Sequence, residues 1–410
     1  MEEKICSVER GRIMSRLNGL ITELCPDGVN YIILSDMAEI GTGSSDRKDA
    51  CEDGEYPFYV RSRDILKINK YEFDETAIII PGEGGIGEIF HYVDGKYALH
   101  QRAYRIHVTD PRLDTKYLYY YMFSKFKDFI MQKAVSSTVT SIRKPMIQNF
   151  PVAVPPIEVQ HEVIKILDEY SEVNDKLIEN LTLERNKREK QYLEYTSQIF
   201  DKNTGEDANE YSLGELFDFR NGLSKGKEFF GRGIPFIRYT DVYNNRFLRK
   251  ENITALVDCT KQEIEKLNVS RGDVLFTRTS ETAEDVGWSS VMLDDMEACV
   301  FNGFTIKATP KTNLILPEYC VFCFSTNDFR QYVTSHCAFT TRASLTGKTI
   351  AEYKIRIPDR DTQRKMFELL NELTLKKNEL SAALLSEIEF RKKQYACYRE
   401  KILTFKELGA

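Results

Sequence analysis

A seam of mainly apolar residues with a few polar ones recurs at every third or fourth position over two long stretches of this chain. In the first, Leu167, Tyr170, Asn174, Leu177, Leu181, Glu184, Arg188, Gln191 and Tyr195 keep strict 3/4 spacing; in the second, Leu370, Leu373, Lys377, Leu380, Leu384, Glu387, Arg391, Gln394 and Tyr398 do the same. This is the seam of a coiled-coil helix. Neither Pro nor Gly interrupts the pattern for about 40 residues after Pro155-Pro156 and again after Pro358, which predicts two helices of roughly 60 Å each. Ahead of each helix the pattern changes to short β-rich runs. Ala77–Ile80, Ile86–Val93 and Tyr97–Val108 read as strands, with turns at Pro81-Gly82 and Asp94-Gly95. One aromatic helix follows in each half, around Tyr117–Phe129 and around Tyr319–Phe329.

The two halves are copies. Residues 141–200 align without a gap on 344–403, and 15 of the 60 pairs are identical, several-fold above chance for average composition. Arg188-Glu189-Lys190-Gln191-Tyr192 falls on Arg391-Lys392-Lys393-Gln394-Tyr395. Upstream, Tyr56-Pro57-Phe58-Tyr59 resembles Ile234-Pro235-Phe236-Ile237, Ala77–Ile80 resembles Val274–Thr277, and Arg102–Ile106 answers Asn302–Ile306. The expected fold is α+β: two similar globular domains, residues 1–155 and 204–357, each followed by a helical spacer, 156–203 and 358–410. The spacers form an antiparallel coiled coil that relates the halves by a pseudo-two-fold axis.

Direction is argued from the polar seam positions. Parallel, in-register helices would oppose Glu184 to Glu387 and Arg188 to Arg391, whereas antiparallel packing opposes Glu184 to Arg391 and Arg188 to Glu387. The latter predicts Leu177 near Tyr398 and Tyr195 near Leu380. The alternative is that each helix pairs with another subunit, because a seam does not name its partner.

With 42% apolar and 29% charged residues among 410, the chain has the composition of an ordinary globular protein with sizeable cores. No apolar run reaches the ~18 residues of a membrane span, and the N-terminus lacks a signal-peptide core. The expected location is the cytoplasm. Nine cysteines show no paired framework. Cys320 and Cys323 have CxxC spacing inside an apolar helix over Glu318–Tyr332, which favours buried core over metal or redox chemistry. A net charge of −6 argues against a nonspecific polyanion binder but leaves room for a reader whose cations are gathered locally.

Nucleotide and catalytic motifs fail on context. Gly82-Glu83-Gly84-Gly85-Ile86-Gly87 fits GxGxxG, yet a hairpin rather than a helix is expected after it, leaving a plain turn or a loop where backbone approaches a partner. Thr346-Gly347-Lys348-Thr349 resembles half a P-loop, but Arg342 stands where the first glycine belongs. The five histidines show no metal-ligand spacing, and no catalytic constellation is apparent, so no metal, cofactor or intrinsic chemistry is expected.

Duplicated heads with clustered Arg, Asn and Gln point to double-stranded DNA, whose base edges these side chains contact in pairs of hydrogen bonds. The candidate contacts are Arg61, Arg63, Gln101, Arg102, Arg143 and Lys144 in the first copy. In the second they are Arg238, Tyr239, Arg278, Asn302, Arg342 and Lys348. For each singly, a structural ion pair is the competing role; only the paired occurrence raises them.

Leu24-Cys25-Pro26-Asp27-Gly28-Val29, Pro155-Pro156-Ile157-Glu158-Val159-Gln160 and Arg391-Lys392-Lys393-Gln394-Tyr395 with Tyr398-Arg399 resemble the specificity subunits of type I restriction-modification systems. One departure is an N-terminal extension, Met1–Ile13. The resemblance implies a non-catalytic bacterial or archaeal DNA reader, each target-recognition domain binding one half of a split, asymmetric site and the helices fixing the gap. It implies two modification (methyltransferase) subunits docked on the helices and two restriction subunits that translocate and cleave. S-adenosylmethionine, ATP and Mg would then reside on those partners and none on this chain. The competing expectation is a coiled-coil adaptor that binds only proteins.

Overall fold

The computed structural model describes residues 15–133, 141–204 and 208–409; the N-terminal extension lies outside the described residues. The chain forms two compact units, one of residues 1–182 with 385–410 and the other of residues 183–384.

In the first unit, α1 (15–24) precedes β1 (Asn30–Ile33), which pairs antiparallel with β8 (Pro151–Val154). Between them lies a six-stranded sheet in the order β2-β7-β5-β6-β3-β4: β2 (Ala38–Thr42), β3 (Tyr56–Tyr59), β4 (Ile65–Ile68), β5 (Phe73–Pro81), β6 (His91–Leu99) and β7 (Ala103–Val108). β5 alternates its side chains between two cores, as a strand must. Ile78 and Ile80 face α2 (Thr115–Lys133), while Ala77 and Ile79 pack with Tyr59, Tyr97 and Leu99. The sheet curls until Ser45, after β2, bridges His100, after β6. Gly43 permits this, since a Cβ there would lie 1.8 Å from the Leu99 carbonyl oxygen. A short helix, α3 (Lys144–Gln148), leads into β8.

Of the two expected turns, Pro81-Gly82 stands at the end of β5 and the other moves. Asp94-Gly95 does not end a strand: β6 runs through it with Gly95 opposite Glu75. The chain instead reverses at Gly82–Phe90, where Gly84, Gly85 and Gly87 take positive φ, and the expected strand Tyr97–Val108 breaks at His100–Arg102. Glycines mark where a turn is affordable, and the run of them at 82–87 is a better turn than one isolated Gly.

In the second unit, β9 (Asn209–Ser212) pairs with β21 (Lys354–Ile357) as β1 does with β8. After α5 (Leu213–Leu216), the main sheet runs β10-β18-β14-β16-β12: β10 (Phe217–Asn221), β12 (Phe247–Leu248), β14 (Val274–Thr277), β16 (Ser289–Met292) and β18 (Thr305–Pro310). A second sheet holds β13-β11-β17: β11 (Phe230–Ile237), β13 (Ala255–Val257) and β17 (Val300–Phe301). α6 (Tyr239–Asn244) and α7 (Lys261–Leu267) flank it. A third links β15 (Thr279–Ser280), β20 (Ala343–Ser344) and β19 (Ala338–Phe339). The equivalent registers refine the repeat alignment. Phe58↔Ala98 and Tyr59↔Leu99 in one unit match Phe236↔Val300 and Ile237↔Phe301 in the other, both parallel. Ile78 then matches Val274, one residue from the sequence alignment, and His100 rather than Arg102 matches Asn302.

The aromatic helix of the second unit is broken into α8 (Pro317–Cys323) and α9 (Asn327–His336), because Thr326 caps a new start by accepting from the Phe329 amide. Cys320 and Cys323 are core residues on α8, their thiols pushed up by burial, Cys323 to about 12. α10 (Gly347–Glu352) precedes β21.

The long helices are α4 (Ile157–Asn203) and α11 (Arg360–Ile402). In the first unit Val159, Val163, Ile166 and Leu167, at the start of α4, share a core with Ile402, the last residue of α11, and with Leu403 and Phe405 just beyond it. In the second, Phe200 packs with Met366 and Leu370, and Glu189 and Tyr192 reach Lys377 and Thr374. Ascending positions on one helix therefore meet descending positions on the other, and the pairing is antiparallel as expected.

Its register is not the expected one. Tyr398 stacks on Tyr170 at 4.6 Å, one heptad away from the predicted Leu177. Arg188 binds Glu184 and Arg391 binds Glu387 within their own helices, each at 2.7 Å. With those charges already paired at i,i+4, they do not fix the register; it is carried by the tyrosine stack in the first unit and by Glu189 with Lys377 in the second. The seam also drifts. Leu167 and Leu370 are fully buried, Tyr170, Leu177, Leu181, Leu373, Leu384 and Tyr398 partly so, but Tyr195 and Leu380 are 47% and 41% exposed. Thr196 is buried in place of Tyr195, and Arg399 is buried beside the partly buried Tyr398, at 4% and 8%. An α-helix has 3.6 rather than 3.5 residues per turn, so a heptad pattern slips about 20° per repeat and reaches nearly one residue after four.

Candidate nucleic-acid interface

β3 and β6 run parallel and end together, so the segments that leave them are neighbours: Arg61 and Arg63 follow β3, and His100, Gln101 and Arg102 follow β6. The turn is fixed by His100, whose backbone N–H donates to the Tyr59 carbonyl and whose Nδ1 accepts from the Arg102 N–H at 2.9 Å. Burial and the nearby Arg61 and Arg102 cations, against Asp46 and Glu83, hold this imidazole below its ordinary pKa. The glycine loop after β5 closes the group. Gly82 N–H donates to the Arg102 carbonyl, Glu83 bridges Ser141, and the Glu83 carboxylate accepts from both Arg61 and Arg102.

Arg61 and Arg102 are thus brought together, with Gln101 beside them donating to Asp46 at 3.0 Å. Arg143 and Lys144 are exposed at the start of α3, one turn beyond the Ser141 bridge, since the Ile142 amide donates to the Gly82 carbonyl. Arg63 is exposed and its charge is felt by Glu88.

The second unit builds the same turn from different residues. Asn302 stands where His100 does: its N–H donates to the Ile237 carbonyl and its Oδ1 accepts from the Phe304 N–H at 3.0 Å. Its side chain therefore orders its own turn. Arg278 stands where Gly82 does, with its N–H on the Phe304 carbonyl and Nη1 3.3 Å from the Gly303 carbonyl, while its buried Nε has no partner. Arg238 is held by the buried Asp241 carboxylate at 2.7 Å, which raises the guanidinium's pKa further. Tyr239 donates to the Asp285 carbonyl and stacks on Tyr243. Arg342 and Lys348 are exposed, the latter on α10.

Three surface features lie outside the candidates that the sequence singles out. Glu83 stands there only as part of a glycine motif. Phe304 is exposed where the first unit has Arg102, and Trp288 is exposed beside Tyr243 with Arg330 over its ring at 4.6 Å. The lone tryptophan was the available signal for the last.

Each head is locked to its long helix by a buried glutamine. Gln160 Nε2 donates to the Arg112 and Pro155 carbonyls, and its Oε1 accepts from the Asp114 N–H. Gln363 repeats this with Leu314, Pro358 and Leu316. Among the described residues no group of side chains could hold a metal ion, and no helix is long and apolar enough to cross a membrane.

Known proteins share this organisation. The chain is 32% identical over 136 residues to the specificity subunit of the type I restriction enzyme EcoDI of Escherichia coli, covering 33% of this chain and 29% of that one. It is 25% identical over 258 residues to the EcoR124I/EcoR124II specificity subunit of Escherichia coli, covering 61% and 60%. The matched stretches thus span less than two thirds of these relatives' lengths. A chain solved in work on complex assembly and conformational transition of the type I R-M system superposes with a TM-score of 0.71 over 92% of this chain and 98% of its own. Its 13% identity makes that a likeness of fold. Residues 26–184 and 205–390 each match the type I restriction modification DNA specificity domain, and the chain belongs to that family, carrying the domain twice.

Proposed function

We propose that this chain is the DNA sequence-recognition subunit of a type I restriction-modification complex, reading a bipartite, asymmetric target with one domain per half. The observation that carries this is the duplicated specificity domain, each copy gathering Arg, Asn or Gln side chains around one turn. On this reading the first domain is residues 1–155 and the second 204–357, with helical spacers 156–203 and 358–410. The spacers dock two modification and two restriction subunits. S-adenosylmethionine, ATP and Mg belong to those partners, so the chain alone has no activity of its own.

Base contacts come from Arg61, Arg63, Gln101, Arg102, Arg143 and Lys144 for one half-site. For the other they come from Arg238, Tyr239, Arg278, Asn302, Arg342 and Lys348. The test is the set of methylated adenines in cells carrying the complex with Arg61→Ala or Arg238→Ala. Each variant should relax one half-site and leave the other intact, by about 1–3 kcal/mol where a paired base contact is lost. An unchanged methylated set in both variants would remove these residues from the interface.

A further inference from the structure

Arg61 and Arg102 do not extend freely into solvent. Both donate to one oxygen, Oε2 of Glu83, at 2.8 and 3.3 Å, although all three side chains are exposed. The backbone places the carboxylate. Gly84, Gly85 and Gly87 have φ of +71°, +58° and +68°, a region L residues rarely adopt, and a Cβ on Gly82 would lie 2.7 Å from the Arg102 carbonyl oxygen. Glu83 itself is bridged to Ser141.

Stability does not account for the arrangement. Exposed ion pairs contribute little to stability, and gathering two guanidinium groups on one oxygen adds their mutual repulsion. Nor does the fold require it. In the second unit Thr279 bridges Ser344 as Glu83 bridges Ser141, so an uncharged residue occupies the same place, and Phe304 replaces Arg102.

We propose that Glu83 is a positioning and selectivity residue for the first half-site, holding Arg61 and Arg102 side by side and guarding them from DNA of the wrong sequence. This rests on the reading that these arginines face DNA. A phosphate is a single, ubiquitous acceptor; to take either arginine it must displace a carboxylate whose charge repels it. A guanine edge offers O6 and N7 together and carries no full charge to be repelled. Glu83 therefore taxes every phosphate contact and taxes the matching base edge less, which widens the difference between target and non-target binding.

Removing the charge should release both cations to any phosphate. In the assembled complex, Glu83→Gln should bind an unrelated duplex several-fold more tightly at low salt. The slope of log affinity against log salt should steepen by roughly 1–2, as one or two more phosphates are neutralised. The ratio of target to unrelated duplex should fall about tenfold, if about 1.4 kcal/mol of discrimination is lost. Glu83→Asp, which keeps the charge, should retain the parental slope. An unchanged slope and ratio in Glu83→Gln, equal weakening on both duplexes, or an equally steep slope in Glu83→Asp would each overturn the proposal. If Arg61→Ala and Arg102→Ala leave the first half-site untouched, the placement of the interface itself is wrong. If they alter it while Glu83→Gln does not, only the role of Glu83 fails.

Discussion

His100 and Asn302 do one job with two chemistries: each side chain accepts from the N–H two residues on and so closes the turn that carries the candidate contacts. The histidine adds a pH dependence. Its pKa is lowered in the folded chain by burial and by Arg61 and Arg102, with Asp46 and Glu83 opposing. As pH falls below about 6.5, the unfolded chain takes up the proton first, so this residue's stabilisation is present above that pH and lost below it. His100→Asn keeps an acceptor in place of Nδ1 and removes the titration. Denaturant midpoints between pH 7.5 and 5 should fall less steeply for the variant than for the parent. The remaining slope comes from other groups, including His91, which burial shifts the same way. A slope identical to the parent's would show that His100 is not the titrating group. The residue types around this turn were legible in the sequence. Their partners were not, because Glu83 lies on a different strand's exit loop and its contacts exist only after the sheet curls.

At the level of elements, the long helices are rooted rather than merely attached. Gln160 and Gln363, in the first turns of α4 and α11, are almost fully buried and satisfy three backbone groups each. Gln160→Ala would leave the Asp114 N–H and the Arg112 and Pro155 carbonyls, partly or fully buried, without this partner. Each stranded group costs about 1–3 kcal/mol, partly offset where water enters the gap. A loss of roughly 3 kcal/mol in unfolding free energy is expected by denaturant titration, and a loss under about 1 kcal/mol would mean that water or rearrangement replaces the glutamine. Gln363→Ala should act alike, since its geometry is the same. The repeat pairing of these glutamines was visible as an identity; that they are anchors was not, since an exposed helix start has the same composition. The helices themselves were legible from spacing. Their heptad register was not, because Arg188 and Arg391 pair within their own helices, and the contacts made across, Tyr170 against Tyr395 and Tyr398 and Glu189 with Lys377, are not distinguished by spacing.

For the molecule as a whole, the proposed role of the helices is to set the gap between half-sites. One heptad inserted after Thr182 and another after Leu384, at the borders of the two units, adds about 10 Å to each helix while returning the seam to nearly the same face. The gap in methylated targets should grow by about 3 base pairs at 3.4 Å each, read by sequencing modified adenines. An unchanged gap in a complex that still methylates would take the spacing role away from the helices. The sequence alone determined the duplication, the α+β class, the two helices and their opposed directions, because periodicity and internal identity are local properties that survive in a linear string. Tertiary structure alone decided the register, the drift of the seam from Tyr195 to Thr196, the position of the β5–β6 turn and the sharing of Glu83 between two arginines. Each of these is a choice among locally equivalent options, and packing between segments distant in sequence supplies the energy that separates them.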